Sequence, residues 1–342
     1  MNSRTDNQDL ITLAHGNGGR HMRELIEQVF LRALGNQAPD AHLDAGALPS
    51  HSGALMITTD SFIVQPLEFP GGNIGSLAVH GSFNDLAVSG AEPLALSLNV
   101  IIEEGLPIAL LERVAAALAE AAGHVPVICA DTKVVPRGEG GGLYLATTAV
   151  GYQARDATLP PMGLAAISPG DRLLVSGPVG DHGTAVMLAR EEFGLSGDLK
   201  SDTACVLALT RALRDLPELR FMRDPTRGGL ANVCHEIANA TGLGVRLSQS
   251  AIPISDPTRA VCEILGFDPL YLACEGRVVA VVAENIAEEA LRRWQALELG
   301  QDAAIIGEIT EARRHAPVSL ITELGGERIL MELEDDPLPR IC

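Results

Sequence analysis

Apolar positions along the chain follow two alternating rhythms. Residues 55–59, 94–102, 125–129 and 143–150 are short apolar runs that predict strands. Between them, residues 20–34, 74–89 and 107–123 carry a longer helical pattern, closed by Gly35, Gly90 and Gly123. The second half repeats the scheme. Strands are predicted at 172–176, 278–282, 304–309 and 328–333, and helices near 183–193, 203–213 and 229–241. Strands alternating with helices predict an α/β (α+β) protein with mixed sheets. Leu159-Pro160-Pro161-Met162 and Ser168-Pro169-Gly170-Asp171 interrupt both rhythms and divide the chain. The predicted units are residues 1–158 and 165–333, followed by a flexible tail, 334–342. Two prolines and three acids make that tail a poor helix or strand.

Composition narrows the function classes. The 342 residues are 46% hydrophobic, enough to bury a full core, but only 3% aromatic. Packing by small residues suits α/β layers. A formal charge of -19 argues against nucleic-acid and anionic-membrane partners, though a metal ion can offset it locally at a nucleotide site. No signal segment or membrane-length apolar run is present, so the cytoplasm is expected. Six scattered cysteines without a C-x-x-C pair argue against a zinc ribbon or a disulfide framework.

Four aspartates stand where strands are expected to end: Asp44, Asp60, Asp85 and Asp131. Taken singly, each reads as a turn or cap residue. Taken together in one half of the chain, they favour Mg²⁺, a hard cation that also takes nucleotide phosphates, and Asn84 adds a neutral oxygen. Two glycine-rich turns suit anions. His15-Gly16-Asn17-Gly18-Gly19-Arg20 precedes a helix but is no Walker A loop, and a plain N-terminal loop fits it equally. Asp224-Pro225-Thr226-Arg227-Gly228-Gly229 opens another helix with Arg227 beside it; an ordinary capped start fits as well. Asp181-His182-Gly183 forms a similar turn.

These motifs, with Thr59-Asp60-Ser61, Phe83-Asn84-Asp85-Leu86, Asp131-Thr132-Lys133 and the terminal Pro339-Arg340-Ile341-Cys342, resemble the HypE family of nickel–iron hydrogenase maturation factors. That family lies within the aminoimidazole ribonucleotide synthetase and selenophosphate synthetase superfamily. The aspartate motifs identify the superfamily, and the Pro-Arg-Ile-Cys end points to the family. The resemblance implies a homodimer of two-domain subunits with an aminoimidazole ribonucleotide synthetase-like fold, and ATP held between the halves. It implies Mg²⁺ on Asp60, Asp85 and Asp131, with Asp44. Two positions depart from the family pattern, which leads one to expect glycine at Ala130 and a second aspartate at Ala45.

The resemblance further implies that Cys342 receives a carbamoyl group from a HypF carbamoyltransferase. ATP then drives its dehydration to a thiocyanate, and the cyano group passes to iron on a HypC–HypD complex. Glu275 and Lys133 are the candidates for proton handling. Nine residues, 334–342, reach roughly 30 Å when extended, which suits a swinging arm. Two other readings compete. One is a superfamily kinase or synthetase acting on a free small molecule, although no cysteine precedes Cys129 as a selenophosphate synthetase would require. The other is a scaffold whose tail docks a partner without catalysis.

Overall fold

The computed structural model describes residues 10–17, 19–39, 45–51, 53–156, 158–190, 194–195, 197–313 and 315–333. One continuous helical rod comprises α1 (Arg20–Leu25), a π-type stretch (Ile26–Leu31) and α2 (Arg32–Leu34). Strand β1 (Leu55–Phe62) follows, then a small hairpin of β2 (Glu68–Phe69) and β3 (Gly72–Asn73). Asn73 caps α3 (Ile74–Val88) by accepting from the backbone N–H groups of Gly75 and Ser76. β4 (Ala91–Glu103), α4 (Ile108–Ala122), β5 (Val127–Val135) and β6 (Leu143–Gln153) complete a first sheet of order β1-β6-β4-β5. Only the β4–β5 pair is parallel.

The two helices on this sheet differ in kind. In α4, Leu111, Val114, Ala115, Leu118 and Ala122 recur at helical spacing and form its buried stripe. In α3, 12 of 15 residues are buried, so it is covered on all sides. It packs on the sheet through Ser82 Oγ to Thr147 Oγ1 at 2.6 Å, while Ala87 and Val88 at its end join a core of the second half. The opposite face of the sheet is open. On β1, alternate residues face outward, leaving Leu55 and Ile57 exposed, the latter by 72%.

The second half holds β7 (Arg172–Val175), α5 (Asp181–Ala189), α6 (Leu207–Leu213), β8 (Leu219–Arg223), α7 (Gly229–Thr241), β9 (Gly244–Ser248) and α8 (Asp256–Leu265). β10 (Val279–Val282), α9 (Ala287–Gln295), β11 (Ala304–Thr310), β12 (Val318–Ile321) and β13 (Glu327–Ile329) follow. The sheet order is β13-β12-β9-β11-β7-β10-β8. Helices α6 and α9 lock together through Trp294, whose ring N–H donates to the Leu209 carbonyl at 3.0 Å. Among the described residues, no helix is long and apolar enough to cross a membrane.

Three expectations need correction. Strands β1 and β5 run on past residues 59 and 129, so Asp60 and Asp131 lie within strands, paired with Thr147 and Asn99. Both strands are sheet edges with an open face, which tolerates polar side chains in mid-strand. Residues 203–206 lie outside the helix, which starts at Leu207. Residues 330–333 leave the last strand: Leu330 is buried, and Tyr271 donates its hydroxyl to the Met331 carbonyl at 2.6 Å.

The halves are also joined by charge. Glu92 on β4 is nearly buried and accepts from Arg211 Nε at 2.7 Å and from Arg214. Burial by itself would raise its carboxyl, but the two guanidinium partners hold it below the usual carboxylate range. A depressed native value gives stability that is present above pH 4–5 and lost as pH falls through it. Glu92→Gln is expected to cost on the order of 2 kcal/mol at neutral pH, between an exposed and a buried pair, and less at pH 3. Urea unfolding at the two pH values checks this; equal losses at both would contradict it.

Candidate active site

A cleft of about 690 Å³ lies along the free edge of β1, between the C-terminal end of α3 and the start of α7. That volume is ample for a nucleotide-sized ligand. Asp60, Asp85, Asp224, Arg227 and Glu275 all line it. Asp60 points to the helix side of the sheet because β1 alternates, and α3 brings Asp85 to the same place. Thr58, two residues before Asp60 and on the same face, donates its hydroxyl to Asp85 at 2.7 Å. Burial raises the Asp60 carboxyl, opposed by the Ser61 N–H, raised further by Asp85, and opposed again by Arg227 at 3.9 Å. Asp224 is pushed up to about 7, first by burial and then by the charge of Asp85, with Asp60 adding to it. Carboxylates from both halves of the chain thus press on one another, an arrangement a bound cation would relieve.

The turn before α7 opens the other wall. Gly229 has a φ of 59°, and a Cβ there would stand 2.5 Å from the Leu272 carbonyl oxygen. Only glycine meets both conditions, and this fixes the path that presents Arg227, 80% exposed, to the cleft.

The other predicted residues fall elsewhere. Asp131 and Lys133 pair with each other at 2.8 Å on β5, the far edge of the first sheet. Register runs from Asp60 through Thr147 and Leu98 to Ala130, so Asp131, one residue on, faces the opposite side. Three strand spacings, about 14 Å, also separate it from β1. Among the described residues, no three metal-ligating side chains are gathered. The expected trio Asp60, Asp85 and Asp131 is therefore not assembled within one chain. Gly16 lies on the same far edge, where a Cβ would meet Val134 N at 2.8 Å, and His15, Asn17 and Gly19 are its neighbours. Gly18, Asp44 and Cys342 lie outside the described residues.

Three candidate ligands serve packing instead. Asp181, at the start of α5, accepts from the Ser255 and Thr258 hydroxyls at 2.6 and 2.7 Å and so stitches α5 to α8. His182 is fully buried, with Nδ1 2.8 Å from Ser201 Oγ and its ring edge-on to Phe69. Burial pushes it down to about 3, so it is neutral and offers a phosphate no charge. Asn84 is 1% exposed and bonds to backbone groups of the second half, not to the cleft. Sequence reasoning also missed Thr58, Arg223 and Glu236, which line the cleft, and Asp202 beneath it. The alternation Met56, Thr58, Asp60 was a usable signal for Thr58 only.

Residues 42–153 match the AIR synthase related protein N-terminal domain, and residues 168–318 match the corresponding C-terminal domain. Both halves of the chain therefore carry the domains of the AIR synthase related class. The chain is 44% identical over 338 residues to the carbamoyl dehydratase HypE of Azotobacter vinelandii, spanning 97% of each chain. The chain belongs to the HypE carbamoyl dehydratase family. A crystal structure of the hydrogenase maturation protein HypE in complex with ATP is 39% identical, with a TM-score of 0.89 over 96% of this chain and 99% of that one. A chain of a HypE–HypF complex is 40% identical, with a TM-score of 0.78 over 90% and 99%.

Two expected outcomes follow from this geometry. Gly229→Ala is expected to cost about 2–3 kcal/mol of stability, from backbone strain and the clash with Leu272, and calorimetric unfolding would show it. An unfolded aspartate releases its proton near pH 4, whereas Asp224 holds it to about 7. Between those values only the native state keeps the proton, so stability falls as pH rises through the window. The urea midpoint of the ligand-free protein is expected to drop between pH 5 and pH 7.5, and Asp224→Asn to flatten the drop. An unchanged slope in the variant would contradict the assignment.

Proposed function

We propose that this chain uses ATP to dehydrate a thiocarboxamide carried on Cys342 to a thiocyanate, supplying the cyanide ligands of a nickel–iron hydrogenase. The observation that carries the reading is the cleft in which Asp60 and Asp85 of the first half face Asp224, Arg227 and Glu275 of the second. A related structure of 39% identity was solved with ATP, and another of 40% identity with HypF. In the reaction, the amide oxygen of Cys–S–C(=O)NH₂ attacks the γ-phosphorus of ATP and ADP leaves. The nitrogen gives up one proton as the phosphorylated imidate forms and its second as phosphate leaves, which gives Cys–S–C≡N. The net change is thiocarboxamide plus ATP to thiocyanate, ADP, phosphate and a proton.

The donor set fits Mg²⁺, because Asp60 and Asp85 bring hard carboxylates to the cleft and Asp224 stands on the opposite wall. Asp60 and Asp85, with Asp131 from a second copy, are the residues that would hold it, and when bound it would neutralise phosphate charge. Arg227 adds a mobile positive group beside Asp60. Glu275, which lines the cleft and is 4% exposed, is the proposed acceptor of the nitrogen proton. The buried thiols are poor nucleophiles: burial pushes Cys234 up to about 12 and Cys262 up to about 11. Carbamoylation is assigned to Cys342 because the terminal Pro339-Arg340-Ile341-Cys342 motif resembles that of the HypE family.

The same reading includes a homodimer. The open face of the first sheet carries exposed Leu55, Ile57 and Ile101 together with Asp131 and Lys133. Covering that face with a second copy would shield it, and Asp131, Lys133 and the glycine-rich loop of one copy would then serve the cleft of the other. HypF is the proposed source of the carbamoyl group and the HypC–HypD complex the acceptor of cyanide, in the cytoplasm. The proposed units are residues 1–158, 165–333 and the tail 334–342.

The test is to incubate the protein with Mg-ATP, carbamoyl phosphate and its HypF, and to weigh the C-terminal peptide. A carbamoyl adduct on Cys342 that loses the mass of water only when ATP is present is expected, with none in Cys342→Ala. An unmodified tail, with ATP still consumed by Cys342→Ala, would point to a free small-molecule substrate.

A further inference from the structure

Glu275 enters the cleft from a stretch of irregular backbone, the kind of segment least able to hold a side chain in place. Its backbone is nevertheless bonded on both sides. Its N–H donates to Asp202 Oδ1 at 3.0 Å. Its carbonyl accepts from Asn84 Nδ2 at 3.1 Å and from the Ala204 N–H at 3.4 Å. Asn84 makes two further bonds: Nδ2 donates to the Ala204 carbonyl at 3.0 Å, and Oδ1 accepts from the Val206 N–H at 2.9 Å. One buried amide on α3 therefore holds three backbone groups of the second half.

Asn84 precedes Asp85. Successive side chains on a helix point about 100° apart. Asn84 is thereby turned toward the second half while Asp85 faces the cleft and Thr58. A short, buried path runs from the Asp85 carboxylate along one helix residue to the Glu275 carbonyl. It fixes how far the proposed proton acceptor stands from the acidic wall opposite. Among the described residues, Asn84 makes no other side-chain hydrogen bond.

We propose that Asn84 is a positioning residue for Glu275: it ties the Glu275 backbone to the helix that carries Asp85, and Asp202 holds the same residue from the other side. The inference rests on the reading of Glu275 as proton acceptor. A displacement of about 1 Å at a reacting group can cost roughly 100-fold in rate. Serine at position 84 keeps a polar group but removes both amide donors. Leucine at position 202 removes the acceptor for the Glu275 N–H while filling a similar volume. Asparagine there keeps an acceptor.

The experiment is a double-mutant cycle on the holo-reaction, reading the single-turnover dehydration rate of protein carbamoylated by HypF, with ATP affinity measured separately. Asn84→Ser is expected to slow turnover by about 10- to 100-fold and to leave the ATP Kd within about twofold. In a Glu275→Gln background the same change is expected to cost less than about twofold, because there is no carboxylate left to place. Should Asn84→Ser not fold, Asp202→Leu runs the same cycle, with Asp202→Asn expected to restore most of the rate. Equal losses in both backgrounds, or a loss confined to ATP binding, would overturn the positioning role and leave Glu275 standing. A Glu275→Gln protein that turns over normally would overturn the proton-acceptor reading, and the positioning role with it.

Discussion

Helix α3 has almost no surface that water can reach, and the two halves of the molecule meet across it. A helix buried on every side must satisfy its polar side chains internally or lose several kcal/mol for each one left unpaired. Ser82 answers to Thr147, Asp85 to Thr58, and Asn84 to three backbone groups of the second half. The same helix end delivers Ala87 and Val88 into the neighbouring core. Cleft, core and interdomain contact thus share one element, and a shift in any of them would be felt in the others.

Charge imposes the second constraint. A chain of net charge -19 has gathered Asp60, Asp85, Asp224, Glu236 and Glu275 around one cleft and supplied two arginines against them, Arg223 and Arg227. Arg223 lies within ion-pair distance of Glu236. The carboxyls of Asp60 and Asp224 are raised first by burial, and Asp85 beside them adds to the rise. Phosphate could enter such a cleft only in company with a cation, which is why nucleotide and metal belong to a single reading here.

Strand geometry imposes the third. Side chains alternate faces along a strand, so Asp60 and Asp131 end on opposite faces and opposite edges of one four-stranded sheet. No side-chain rotation can bring them together. The glycine-rich loop follows Asp131 to the far edge, and so the candidate nucleotide groups fall into two sets. The proposed pairing of two copies over the open sheet face would join them.

Much of this was legible in the residues themselves. Helices such as α4 announce themselves through a strict apolar stripe and a glycine stop, and Gly229 marks a turn that no other residue can make. Local chemistry was enough to single out Asp60, Asp85, Asp224 and Arg227, because charge crowding and helix starts are properties of short segments, whereas Glu275 came with the family resemblance. Pairing and register are not. Asp60 and Asp131 look alike in sequence, and only the order β1-β6-β4-β5 separates them. Asn84 reads as a ligand oxygen until the second half closes over it, and His182 as a solvated cap until Phe69 and Ser201 bury it. Residue types determined which groups can do chemistry. Tertiary packing decided which of them face one another, because contact between distant segments depends on how sheets and cores close and not on neighbours along the chain.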